Sequence, residues 1–370
     1  MTVEELAGLG RQVLWAAFLV SFAFGALVQR TGFCTMGAVS DVVAMGDATR
    51  LRQWALAAAT AMLGFAAFSG AGWLSAPQTL YASTRWIWLS ALVGGSLFGF
   101  GMVLASGCVS KTLVRAGAGN LKSLVVAIVT GIAAFATLKG ITAVLRVNTV
   151  DRVGPELAGN ADLAGVLARA AGLSPGVAAL VAGGAIGGAL LLWALSSREA
   201  WRPVNLAAGL GVGLLVLAMF WITGRLGHVA EHPQTLEEVW LATNSTRAEG
   251  LSFVAPTGFA LDWLMFFSDT SKRLTVGIVA VAGVLCGSAA MALVGRSFRW
   301  EGFGGTSDLG HHLVGAVLMG VGGVTALGCS IGQGITGVST LSLTSFVAAA
   351  SMIGGAVVGT KYQVWRVERA

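Results

Sequence analysis

The chain has 370 residues, 55% of them hydrophobic and 11% charged, with a mean hydropathy of +0.79 and a formal net charge of +6. A soluble domain of this length carries roughly 25% charged residues, so the composition excludes an ordinary soluble enzyme and predicts an all-α polytopic membrane protein. With no basic tail or run, the positive charge reads as membrane loop bias and excludes a nucleic-acid surface.

The chain opens on "MTVEELAGLGRQ", acidic where a signal peptide is basic, so the first apolar segment is expected to stay as a membrane helix. Apolar runs predict nine spanning helices, at about 11–29, 51–75, 86–105, 121–147, 176–196, 204–223, 274–294, 311–328 and 342–364. The 53 glycines suit close helix approach, and several of the 12 tryptophans stand at run ends. Four further stretches, 31–47, 106–119, 257–270 and 328–341, are too short or too glycine-broken to span. Irregular backbone at membrane depth survives only where protein buries it or a cavity receives it, which predicts four re-entrant half-helices.

Two decamers repeat one pattern. "GFGMVLASGC", ending at Cys108, and "GVGGVTALGC", ending at Cys329, agree at six places of ten. "TGFCTMGAVSD" (Thr31 to Asp41) has a degraded counterpart in "TGFALDWLMFFSD" (Thr257 to Asp269), where Ala260 replaces Cys34. The interval from Cys34 to Cys108 is 74 residues and that from Ala260 to Cys329 is 69. This predicts one transmembrane domain over 1–370, with a first repeat at about 11–147, a linking helix at 176–196 and a second repeat at 204–364. The copies start five crossings apart, an odd number, so they are inverted, as in many transporters. Alternating loops place 13 Lys and Arg on the side of the C-terminus and nine on the other, with Lys139 inside a span. That bias predicts a cytoplasmic C-terminus and an outside N-terminus.

The candidate site residues are Cys34, Cys108 and Cys329. Each follows a glycine by one or two residues and opens a short polar or glycine-rich helix start, as in "SGCVSKT" and "LGCSIGQGITG". Free N–H groups there attract an anion without a fixed charge, and a neutral thiol presents a polarisable surface to an oxyanion bearing a terminal sulfur. Two other readings stand beside it: buried cysteine as a small hydrophobe, and lowered-pKa thiolates performing sulfur transfer or disulfide exchange. Cys286, mid-helix among small residues, reads as packing. Lys111, one turn before Arg115, reads either as an anion-attracting group at the inner mouth or as a plain positive-inside residue; Gln333 and Thr336 read either as hydrogen-bonding the cargo or as satisfying neighbouring helices. Asp41 and Asp269 read as helix-orienting groups. The cysteine and histidine spacings match no zinc or CxxC pattern, and no Walker motif is present; no metal, cofactor or direct ATP use is expected.

In "RTGFCTMGAVSD", "GFGMVLASGCVSKTLVRAGAGN" and "GVGGVTALGCSIGQGITGVS", in that order, the chain resembles the YeeE/YedE family of thiosulfate transporters over essentially its whole length. The resemblance implies an hourglass of spanning and short helices in the bacterial inner membrane, with a positively charged outer funnel. It further implies that cargo passes three neutral thiols without covalent change, at positions matching Cys34, Cys108 and Cys329. A cytoplasmic TusA-like sulfur carrier or rhodanese is implied as partner, and is expected as a separate chain. The tryptophan-rich flanks and the 224–256 loop depart from the simplest family pattern, which leaves sulfite or a selenium compound as alternative cargo and a membrane sulfurtransferase or thiol oxidoreductase as the rival class.

Overall fold

A chain inside lipid must satisfy its own backbone hydrogen bonds, and apolar runs therefore become helices. The computed structural model describes residues 2–369, which are predominantly helical. In chain order come α1 (Val3–Thr31), α2 (Thr35–Met45), α3 (Thr49–Gly70), α4 (Trp88–Leu104), α5 (Val109–Gly117) and α6 (Leu121–Lys139). Short α7 (Ile141–Asn148) and α8 (Leu163–Ala171) lead to α9 (Pro175–Leu195). Then follow α10 (Pro203–Trp221), α11 (Val254–Met265), α12 (Val276–Val294), α13 (Thr306–Thr325), a π-helical turn at Gly332–Gly337, and α14 (Leu343–Val367). Starts are specified locally: proline opens α9 and α10, and the side chains of Asn120 and Ser174 cap α6 and α9.

Among the described residues, seven helical stretches are long and apolar enough to cross a membrane. They include Glu4–Met45 and Trp88–Gly117, each a long helix joined with the short one after it. The chain is a multi-pass membrane protein. Two of the nine expected spans, 51–75 and 311–328, form helices α3 and α13 of 22 and 20 residues but fall outside that set. Alanine, glycine and polar first turns make them less apolar per residue. The expected 121–147 span divides at Gly140 into α6 and α7, and 51–75 ends early, at Gly70.

The helix contacts follow a regular scheme. α1 crosses α12 as α10 crosses α3; α4 lies on α14 as α6 lies on α13; α2 packs on α3 and α14 as α11 packs on α12 and α6. α4 meets α13, and α1 meets α10. Exchanging α1–α6 for α10–α13, the 332–337 turn and α14 maps each of these contacts onto another. α9, packed on α3, stands outside the exchange. Glycine makes the α1–α12 crossing possible: a Cβ on Gly25 or Gly287 would strike the backbone of Val284 or Phe22.

One detail departs from the sequence reading. Ala260 lies in the middle of α11, whose N-cap is Phe253, whereas Cys34 is itself the N-cap of α2. The likeness of "TGFC" to "TGFA" is therefore out of step with the helix starts. Asp41 sits within α2 and pairs with Arg50 at 3.4 Å, while Asp269 lies beyond α11 and caps a turn at Ser271.

Candidate functional site

Three interrupted helices carry the three cysteines into the protein by the same local device. α1 ends on Gly32 (φ +70), α4 on Ser106 (φ +56) and α13 on Leu327 (φ +60), each in the left-handed region. The cysteine follows two residues later in every case. At the second and third sites the hydrogen bonds form Schellman turns: Gly107 N–H to Met102 and Ser106 N–H to Val103, then Gly328 N–H to Gly323 and Leu327 N–H to Val324. Serine and leucine usually avoid that backbone region, so two such residues at matching places mark strain held for a purpose. Arg115 steadies the first turn by donating to the Ser106 carbonyl at 2.7 Å.

Two of the thiols then cap the next helical segment. Cys34 Sγ accepts the Gly37 N–H at 3.4 Å and Cys329 Sγ accepts the Gly332 N–H at 3.3 Å, whereas Cys108, the N-cap residue of α5, leaves that bond unmade and sets its Sγ 3.3 Å from the Ser110 hydroxyl. Both acceptors serve the residue three positions on, as a serine N-cap would. With the sulfur lone pair engaged by backbone, the S–H is left to donate elsewhere.

The tertiary structure brings these caps together. The Cys34 and Cys108 thiols lie close to one another, and the Cys108 thiol also neighbours Ser110 (3.3 Å) and Ser330, the residue after Cys329. The Cys329 thiol lies near Phe253, the α11 N-cap. Cys108 and Cys329 are fully buried, Cys34 partly. All four cysteines are free thiols.

A cavity opens on either side. Beside Cys108 lies one of about 500 Å³, reached past Ser106 and lined by Lys111, Arg115, Lys122, Arg299 and His312. Lys122 is neutralised there by Asp308 at 2.7 Å; Lys111 and Arg115 form no ion pair. Beside Cys329 lies a smaller cavity of about 210 Å³, lined by Met219, Leu251, Phe259, Leu327 and Gly328 with Glu249 as its charged group. Burial pushes the Glu249 carboxyl above its usual range, against the opposing N–H bonds of Ser245 and Asn244. Positive charge thus lines the larger cavity alone, on the Cys108 side.

Of the residues expected to act, Cys34, Cys108, Cys329 and Lys111 gather here. Gln333 is buried in the π-helical turn with its Oε1 unpartnered. Thr336 donates its hydroxyl to the Leu251 carbonyl at 2.8 Å and so pins the loop before α11, in line with the second of its two readings. Cys286 is exposed on α12, away from the other thiols. Lys139 is exposed at the end of α6, where its head can reach the interface. Phe253, Thr35 and Ser330 escaped the sequence reading, although Thr35 and Ser330 directly follow motif cysteines.

Broken helices meeting between two cavities in a multi-pass membrane protein define a transporter rather than an enzyme. The family model described as sulphur transport matches residues 30–358, and the chain belongs to that family. It is 27% identical over 361 residues to the thiosulfate transporter TsuA of Spirochaeta thermophila, spanning 93% of this chain and 97% of that protein. To the thiosulfate transporter TsuA of Escherichia coli it is 28% identical over 342 residues, 90% of this chain and 89% of the relative. A 116-residue stretch is 30% identical to the probable transporter YedE of Salmonella typhimurium, covering 31% and 27% of the two chains.

Proposed function

We propose that the chain takes up thiosulfate, or a closely related sulfur-containing anion, across the cytoplasmic membrane, and that the cargo moves past neutral thiols at the waist of an hourglass. The observation that carries this reading is the convergence of three thiols, each at the head of an interrupted helical segment, between two cavities, in a chain similar over nine-tenths of its length to thiosulfate transporters. A terminal sulfur is large and polarisable, and thiols meet it without the desolvation cost of burying a fixed counter-charge.

The domain is one unit of two inverted copies, at about 11–147 and 204–364, joined through α9. Nine helices span, and the segments around α2, α5, α11 and 332–337 enter as half-helices. The exchange scheme of helix contacts supports this arrangement. The N-terminus lies outside and the C-terminus in the cytoplasm, which sets the basic cavity on the cytoplasmic face. Lys111 and Arg115 then draw the anion inward after the constriction, while the cavity on the outer side is largely apolar. A separate cytoplasmic sulfur carrier of the TusA type, or a rhodanese, receives the cargo.

Lipid vesicles bearing the purified chain are expected to accumulate radiolabelled thiosulfate well above protein-free vesicles, with little accumulation of sulfate. Equal accumulation of sulfate and thiosulfate, or none of thiosulfate, rejects the reading.

A further inference from the structure

We infer that Ser330 and Thr35 bind the oxygens of the cargo anion, beside the thiols that face its terminal sulfur. The inference deepens the thiosulfate reading and rests on it. Thiosulfate is two-natured: one soft sulfur at one end, charged hard oxygens at the other. A thiol is a weak hydrogen-bond donor and cannot by itself replace the water around those oxygens.

The donors at the waist divide into spent and unspent. The N–H groups of Gly37 and Gly332 go to the Cys34 and Cys329 thiols, Thr336 goes to Leu251, and Ser110 sits on Cys108. The hydroxyls of Ser330 and Thr35 have no partner, although the residues are only 1% and 5% exposed. Unmade hydrogen bonds of buried hydroxyls are destabilising, and they persist where a ligand completes them. Both occupy the same place, directly after a motif cysteine at the head of an interrupted helical segment, and at Thr35 the dipole of eleven-residue α2 also favours negative charge. Ser330 is the better placed of the two. It follows Cys329 and lies near the Cys108 thiol, so it stands between two thiols whose chain neighbours, Gly328 and Ser106, line the two cavities. Hard donor and soft surface thus alternate along the waist, matching the two ends of the anion.

The test compares Ser330→Ala, Ser330→Thr and Thr35→Val with the unaltered chain in vesicle uptake and in thermal unfolding with and without thiosulfate, sulfite, selenite or sulfate. Ser330→Ala is expected to raise the half-saturating thiosulfate concentration about tenfold or more, the loss of a hydrogen bond to a charged group. Ser330→Thr keeps the hydroxyl and recovers most of it; Thr35→Val shows a smaller rise. The ligand-free unfolding midpoint of Ser330→Ala is expected to be unchanged or higher, because the hydroxyl has no partner in the fold. Unchanged half-saturation in both Ser330→Ala and Thr35→Val overturns the proposal, as does a lowered ligand-free midpoint with affinity intact, which assigns the hydroxyl a structural role. If the unaltered chain is stabilised by sulfite or selenite but not thiosulfate, the thiosulfate reading falls, and the Ser330→Ala shift for the anion that does bind still decides. If no oxyanion stabilises it or enters, both fall.

Discussion

The turns before Cys108 and Cys329 share sequence, backbone conformation and hydrogen-bond pattern, yet face different surroundings. After Cys108 the chain runs on as regular α5, and the residue three positions along is Lys111, which reaches a basic cavity. After Cys329 it winds into a π-helical turn, and the corresponding residue is Gly332, backed so closely by Ser252 that a Cβ would lie 2.5 Å from its hydroxyl. One turn delivers a thiol beside mobile charge, the other a thiol walled in by packed backbone. A repeated motif fixes how a thiol is presented; its neighbours in space fix what the thiol meets on either side.

The sharpest way to break the comparison is to change the thiols. Cys329→Ser is expected to abolish thiosulfate uptake, a fall of a hundredfold or more, with the unfolding midpoint unchanged or raised, because serine caps a helix at least as well. Cys108→Ser is expected to do the same to uptake, with the midpoint little changed because the hydroxyl keeps the contact with Ser110; Cys329→Ala also loses roughly 1 kcal/mol of cap stability. Substantial uptake by either serine variant would reduce that cysteine to a structural part. Next come the residues three positions on. Lys111→Ala should fold normally and raise half-saturation severalfold, most at low ionic strength. Gly332→Ala should cost about 1–3 kcal/mol by overpacking against Ser252, read as a lower unfolding midpoint. Equal behaviour of the two would erase the contrast.

The backbone strain offers a finer test. Ser106→Gly relieves a left-handed residue and should stabilise by about 1 kcal/mol. Leu327→Gly relieves the same strain but strips a half-buried leucine from the smaller cavity, and is expected to destabilise on balance. The smallest effect concerns Glu249. Its carboxyl, raised by burial, holds its proton more tightly folded than unfolded. Its contribution to stability is therefore present below the unfolded value of about 4.3 and is lost as pH rises through the higher folded value. Glu249→Gln should flatten that decline in a series of unfolding midpoints from pH 4 upward.

Much of the scaffold was legible because lipid imposes a simple rule: apolar runs become helices, and glycine before a short polar stretch interrupts them. That placed most of the long helices to within about five residues and singled out Cys34, Cys108 and Cys329, though it started α1 eight residues late and did not see the break at Gly140. It missed Phe253 because the α11 cap is not a cysteine and the "TGFA" likeness points seven residues too far along. The choice between the two readings of Thr336 was not legible, because its partner, the Leu251 carbonyl, lies 85 positions away.

The sequence by itself determined that the chain lives in a membrane, where its helices break, and which thiols stand at the breaks, since each depends on neighbours along the chain. Tertiary structure alone decided that the caps from three distant segments meet, that basic residues gather on one side of them, and that the Ser330 and Thr35 hydroxyls are left without partners. Those outcomes depend on which helices pack together, and no local pattern encodes a hydrogen bond that is left unmade.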